Sequence, residues 1–285
     1  MKTISLFVLF LLSVPAWTQQ TFTQKIGATD RVIIQFHKSE MKVEAHSSNE
    51  IKIEALNYKA PPERAKGLRP LYNSAMDNTD TGLQLEKIEG GYVITEASRQ
   101  DGKYIIKLPA TAKVSIIEMN WGGGEDVAVR GMKSEIEVKS KTADVRLTDV
   151  TGPVIVNSTS GDIEVDFTGF SQAGPSSINA ISGDVDIKMP ASAKVNFALS
   201  SISGEVYTDM DLKLTKNVKK EGETEKAEEA EKKAYAYSYS TGEGGNVYIA
   251  SHSSFPGRAI KATANGGGAQ FTIRATSSDI YLRKK

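Results

Sequence analysis

The sequence predicts an all-β chain built as a parallel β-helix-like solenoid, with two short strands per coil of about 18 residues and loop insertions between coils. Three observations predict it. Aliphatic pairs begin every nine residues, the members of a pair lie two apart, and the segments between pairs are short polar turns. The pairs are Val127/Val129, Ile136/Val138, Val145/Leu147, Val154/Val156 and Ile163/Val165. A spacing of two puts both side chains on one face of a strand. A nine-residue period is two and a half helical turns, so a helix would throw successive pairs to opposite sides. β-branched residues at period two, separated by turn residues, argue for strands. An up-and-down barrel is disfavoured, because its strands run longer and its hairpins favour Asn-Gly or Asp-Gly turns.

Stacking the coils through parallel ladders places Val127, Val145 and Ile163 in one interior column, and Val129, Leu147 and Val165 in another. Ile136 with Val154, and Val138 with Val156, line the opposing sheet. A single coil buries too little to offset the entropy of ordering it, so neighbours are a requirement of stability. With slips, the grid continues downstream as Val185/Ile187, Val195/Phe197, Val206/Thr208, Val247/Ile249, Phe271/Ile273 and Ile280/Leu282. Upstream it shows as Val32/Ile34, Met41/Val43, Ile51/Ile53, Leu83/Leu85 and Tyr92/Ile94. The slips read as insertions at turns.

Several coils enter their strand through one phrase: SGDIEV, SGDVDI and SGEVYT. Gly161, Gly183 and Gly204 are expected at the sharp corner, where glycine takes a positive φ without strain. Ser160, Ser182 and Ser203, with Asp162, Asp184 and Glu205, are expected to bond turn amides that have no ladder partner. Asp126, Asp144 and Asp162 recur every 18 residues, so stacking brings like charges about 4.8 Å apart. Turn hydrogen bonds or a bound Ca²⁺ could each relieve that repulsion. The calcium nonapeptide's glycine run is absent, so the hydrogen-bonded reading is preferred.

These phrases, with the ending NGGGAQFTIRATSSDIYLRK from Asn265 to Lys284, resemble the putative adhesin family of exported β-strand-repeat proteins, a domain of unknown function. The resemblance covers roughly Thr23 to Lys284 less the insertions. It implies an exported parallel β-helix-like fold and carries no catalytic residues. The long charged insert after Met210 departs from the family pattern.

The N-terminus, MKTISLFVLFLLSVPAWTQQ, has the order of a secretory signal: Lys2, the apolar stretch Ile4 to Val14, then Val14-Pro15-Ala16. That stretch is too short to span about 30 Å of hydrocarbon. Residues 1–16 are therefore expected to be a cleaved signal, and 17–285 one solenoid domain with insertions at 57–82, 168–177 and 211–245. The expected location is periplasmic or extracellular, with no transmembrane segment after cleavage. The 35 basic and 35 acidic residues cancel, which gives no electrostatic case for nucleic acid. The absence of cysteine removes disulfides, thiolate metal sites and a cysteine nucleophile.

Within the last insertion, KKEGETEKAEEAEKK is charged on all sides and reads as a solvated excursion. It is followed by AYAYSYS, whose Tyr235, Tyr237 and Tyr239 share a face if the segment is extended. Those three tyrosines are the candidate binding surface, for a sugar or a partner protein; the alternative is a strand packing its aromatic face on the solenoid. His37, His46 and His252 have no metal-ligand spacing, and GFSQA misses the nucleophile-elbow pattern by its last residue. No cofactor motif is present. Outward-facing Arg146, Glu164 and Glu137 would serve a glycan-cleaving enzyme only if they converged. The function expected is non-enzymatic: an adhesion or scaffold module at the bacterial cell envelope, binding an unknown protein or glycan. A sensor accessory that binds a signalling partner is the alternative, and a β-helix polysaccharide lyase or hydrolase is third.

Overall fold

The computed structural model describes residues 20–60, 62–65, 68, 75–98, 100–121, 125–170, 174–215 and 260–285. Their strands form two sheets packed face to face. The eleven-stranded sheet runs in the order β18 (Leu212–Leu214), β19 (Ile260–Ala264), β16 (Val195–Ser201), β20 (Ala269–Ser277), β14 (Ser176–Ser182), β12 (Val154–Ser158), β10 (Ile136–Ser140), β8 (Lys113–Glu118), β2 (Arg31–Phe36), β6 (Gly91–Glu96) and β5 (Leu83–Ile88). The ten-stranded sheet runs β1 (Gln20–Lys25), β4 (Glu50–Ala55), β7 (Lys103–Pro109), β3 (Glu40–His46), β9 (Val127–Arg130), β11 (Val145–Val150), β13 (Ile163–Phe167), β15 (Val185–Met189), β21 (Ile280–Lys284) and β17 (Val206–Thr208). From β8 to β17 the chain alternates strictly between sheets, one strand in each per coil.

The expected columns are present. Val127, Val145 and Ile163 lie in register, as do Val129, Leu147 and Val165, and all six are buried. The same rows continue through Val185 and Ile280 on one side and Met41 and Tyr104 on the other. Ile136 with Val154, and Val138 with Val156, are register partners in the opposing, eleven-stranded sheet. The interior is mainly aliphatic, with Phe36, Tyr92 and Tyr104 toward one end and an aromatic cluster toward the other, where Phe167 and Phe197 each lie 6.0 Å from Phe271.

Stack order departs from chain order at both ends. Coils follow one another from β8 to β15, but β2–β3 lies between β6–β7 and β8–β9. Likewise β20–β21 lies between β14–β15 and β16–β17. The simple spiral expected from the period is therefore corrected. Apolar spacing specifies which face a residue takes and is silent on which neighbouring strand completes the ladder. Two further pairs are reassigned for the same reason. Ile51 and Ile53 lie on β4, antiparallel to β1 and β7, and Leu83 and Leu85 lie on β5, antiparallel to β6. Val247 and Ile249 lie outside the described residues.

Candidate binding surface

The corners explain how the stacked acids coexist. The Asp162 amide donates to the Asp144 carboxylate at 2.8 Å, and the Asp184 amide donates to Asp162 at 2.8 Å. The ladder continues from Asp279 to Asp184 at 3.1 Å and from Glu205 to Asp279 at 2.8 Å. Asp144, Asp162, Asp184 and Asp279 thus each receive the backbone N–H of their counterpart one coil on, a charge-assisted bond repeated with the period of the fold. Among the described residues no group of three or more His, Cys, Asp or Glu is placed to hold a metal ion. Gly161 and Gly183 have the expected positive φ, at 104° and 97°. Gly204 does not share it; there a Cβ would meet the Ser278 carbonyl oxygen at 2.1 Å, so close approach replaces φ as the reason for glycine. The serine hydroxyls that bond at these corners are Ser158, to Ser160 O, and Ser201, to Ser278 O.

The outer face of the ten-stranded sheet carries a straight row: Arg146, Glu164, Asp186, Tyr281 and Tyr207, each in register with the next. Its acids are matched. Arg146 Nε lies 3.1 Å from Glu164 and its Nη1 3.8 Å from Asp126, which raises the Arg146 pKa further above its already high value. Arg283 Nε, in the adjoining row, donates to both Asp186 oxygens at 3.1 and 2.9 Å. Lys285 pairs with Asp166. A shallow depression, with room for about one water molecule, lies among Arg146, Glu164, Asp166, Asp186 and Lys188.

The row ends in aromatics. The Tyr207 and Tyr281 rings stack at 5.4 Å and 13°. The Arg283 guanidinium covers Tyr281 at 5.3 Å from its centroid, and the Tyr281 hydroxyl donates to Asp279 at 3.2 Å. Contact with the sheet and the Asp279 carboxylate raise the Tyr281 pKa, so the phenol stays neutral. Tyr207 is 51% exposed on the last strand of the sheet. A stacked tyrosine pair pinned by a bonded arginine presents a rigid amphipathic surface, with its ordering cost met before any ligand arrives. The signal for it was the tyrosine shared by EVYT and DIYL; only the register that makes those segments neighbours was missing.

Tyr235, Tyr237 and Tyr239 lie outside the described residues, as does His252. Glu137 does not converge with Arg146 and Glu164. It lies on the outer face of the other sheet, held by Arg31 and Lys139 at 2.9 Å each and by the Ser115 hydroxyl at 3.0 Å. His46 Nε2 bonds Glu50 O at 2.8 Å within the β3–β4 turn, and the His37 amide donates to buried Glu96 at 2.5 Å. The carboxyl groups of Glu40, Glu54, Glu118 and Glu137 are lowered below the usual value, each held ionised by donors rather than poised to give a proton near neutrality.

A family model described as Toastrack DUF4097 matches residues 39–244. Two solved structures are similar over nearly the whole chain. One is a putative cell adhesion protein from Clostridium sporogenes ATCC 15579, with 8% identity, 94% of this chain and 100% of that one covered, and a TM-score of 0.39. The other is a putative adhesin from Bacteroides fragilis NCTC 9343, with 11% identity, 95% and 99% covered, and a TM-score of 0.41. No curated protein matches.

Proposed function

The chain belongs to the Toastrack DUF4097 family, and from that premise we propose that it is a non-enzymatic binding and scaffold module exported to the bacterial cell envelope. Residues 1–16 act as the export signal and 17–285 as one solenoid domain. The Tyr207–Tyr281 stack carries the reading, since it is the exposed aromatic end of a face whose charges otherwise satisfy one another. The ligand class that fits is a sugar ring or an aromatic side chain, either of which lies flat on tyrosine and bonds the flanking Arg283 and Asp186. Arg283, stacked on Tyr281 and bonded to both Asp186 oxygens, supplies grip and orientation.

The test is binding of the purified protein to immobilised envelope glycans and to envelope extract, with the Tyr207→Ala/Tyr281→Ala double variant alongside. Loss of one to two kcal/mol of stacking corresponds to roughly 5- to 30-fold weaker binding. Equal binding by a folded double variant overturns the assignment to this face. New reducing ends or unsaturated products from anionic polysaccharides would overturn the non-enzymatic reading.

A further inference from the structure

The loop that leads into the last coil is Asn-Gly-Gly-Gly, residues 265–268, between β19 and β20. Those two strands flank β16 on either side, with Ala264 and Ala269 both in register with Val195, so the loop crosses the start of β16. It is pressed onto what it crosses. A Cβ at Gly267 would lie 2.4 Å from Asn196 Oδ1, and one at Gly268 would lie 2.3 Å from Lys194 O. The Asn196 side-chain amide also donates to Gly268 O at 2.7 Å. Gly266 differs: a Cβ there would meet nothing within 4 Å. Asn265, exposed and at φ 50°, ties the loop to the turn before β16, its Nδ2 donating to Ala191 O and Ala193 O at 2.8 Å each. Both protons of one side-chain nitrogen are thus committed to this hook.

Asn265 is the only asparagine in the sequence that is followed by glycine. That dipeptide has a reaction of its own. With no side chain on the second residue, its backbone nitrogen reaches the asparagine Cγ at little steric cost. A new N–C bond closes a succinimide ring, the Cγ–Nδ2 bond breaks, and Nδ2 leaves as ammonia. Water then opens the ring at either carbonyl to give aspartate or isoaspartate. The balance is amide and water in, carboxylate and ammonium out, and no other reactant is consumed.

We propose that Asn265 is a self-modifying site whose deamidation unhooks the last coil. The atom that leaves is the atom that holds the hook, so reaction and release are one event. The carboxylate left behind only accepts hydrogen bonds, and two carbonyl oxygens offer it none. While the hook is closed its two bonds restrain the amide, so ring closure waits on their opening and proceeds slowly in the folded chain. The corresponding hook at the other displaced coil, the Thr111 hydroxyl on Ala28 O, contains no labile amide. The segment released is β20–β21, and the inference stands whether or not the Tyr207–Tyr281 face binds a ligand.

Peptide mapping of the full chain in mildly alkaline buffer tests it, with folded and urea-unfolded samples in parallel. The expected products are aspartate and isoaspartate at 265, ahead of every other asparagine. The folded rate should be about 10- to 100-fold below the unfolded rate, the factor that two hydrogen bonds supply. Gly266→Ala, whose added methyl has no neighbour to meet, should stay folded and lose nearly all of the product. Asn265→Asp should reproduce the unhooked state, with a lower melting temperature and amide exchange in β20 faster by roughly tenfold or more, while β10–β13 are unchanged. If that variant does not fold, aged native protein separated by charge takes its place in the exchange measurement. No isoaspartate at 265 in the folded chain after about a hundred unfolded-state lifetimes overturns the proposal, as does undiminished product in Gly266→Ala. Equal rates in the two samples, or parent-like melting and exchange once residue 265 is acidic, overturn the unhooking.

Discussion

Polar side chains, placed where one coil hands over to the next, hold the corners of this solenoid. Glu118 ends β8, is 2% exposed, and caps the corner after β10. It accepts from the amides of Lys141 at 2.6 Å, Thr142 at 2.9 Å and Ala143 at 3.2 Å, and from the hydroxyls of Ser140 and Thr142. Burial opposes its ionisation, but the donors of Thr142, Lys141 and Ala143 outweigh burial and hold its pKa below the usual carboxylate value. A depressed folded pKa contributes stability above the unfolded value near 4.3, and that stability is lost as pH falls through the folded pKa. Glu118→Gln should therefore cost about 1.5–3 kcal/mol at neutral pH and flatten the acid limb of a stability–pH profile below about pH 4. Thermal melts from pH 3 to 7 read both effects. Glycine positions give a second contrast. At Gly183 a Cβ would lie 2.4 Å from the Gly161 carbonyl oxygen, whereas at Gly266, also at positive φ, nothing lies within 4 Å. Gly183→Ala should destabilise by about 2–4 kcal/mol and Gly266→Ala by about 1 kcal/mol, measured by denaturant midpoints. Equal costs would mean that φ alone, rather than contact between coils, requires glycine.

At the scale of elements, the displaced coils have their own punctuation. The two connections that step over an inserted coil, β7 to β8 and β15 to β16, share one phrase: LPATAKV from Leu108 and MPASAKV from Met189. In each, a buried alanine amide (Ala112, Ala193) donates to the proline carbonyl at 2.9 Å, closing a turn before the chain crosses about 9.6 Å, two strand spacings. Each turn is also hooked to the loop that leads into the inserted coil. The Thr111 hydroxyl donates to Ala28 O at 2.6 Å, just before β2, and the Asn265 amide donates to Ala191 O and Ala193 O at 2.8 Å, just before β20. The final coil is therefore an insert into a slot that the rest of the chain outlines. Removing 265–285 should leave β14–β15 and β16–β17 with unfilled ladders and lower the melting temperature. A peptide of the same 21 residues, Asn265 to Lys285, added in trans should bind and restore it, as calorimetry with and without peptide would show. A truncated protein that melts as the full chain does would contradict the slot.

For the whole molecule, ten strands at about 4.8 Å spacing give a stack roughly 43 Å long. Continuous parallel ladders and a core of aligned aliphatics make that stack a stiff support. Antiparallel strands terminate it: β1 and β4 at one end of the ten-stranded sheet, β5 at the same end of the eleven-stranded sheet, and β18 and β19 at the other. Such terminal strands are where repeat folds protect themselves against end-to-end association. Ion pairs among the outer-face charges, with no net charge overall, suit a surface on which recognition depends on shape and stacking.

Local chemistry sufficed for the strands, the interior rows and the corners. Val127, Val145 and Ile163 repeat at a fixed period, and a fixed period of apolar pairs permits one efficient burial, like upon like. The acids of the corner ladder were also visible from the same period. Tertiary structure decided which coil neighbours which. Asp144 and Asp162 are neighbours in both senses, but Tyr207 meets Tyr281 only because the last coil enters between β15 and β17. A strand's apolar alternation specifies its inward face equally well in any slot of a long parallel sheet. The choice among slots rests on long-range fit: the skip turns, their hooks at Ala28 and Asn265, and the aromatic and aliphatic contacts that the inserted coils complete.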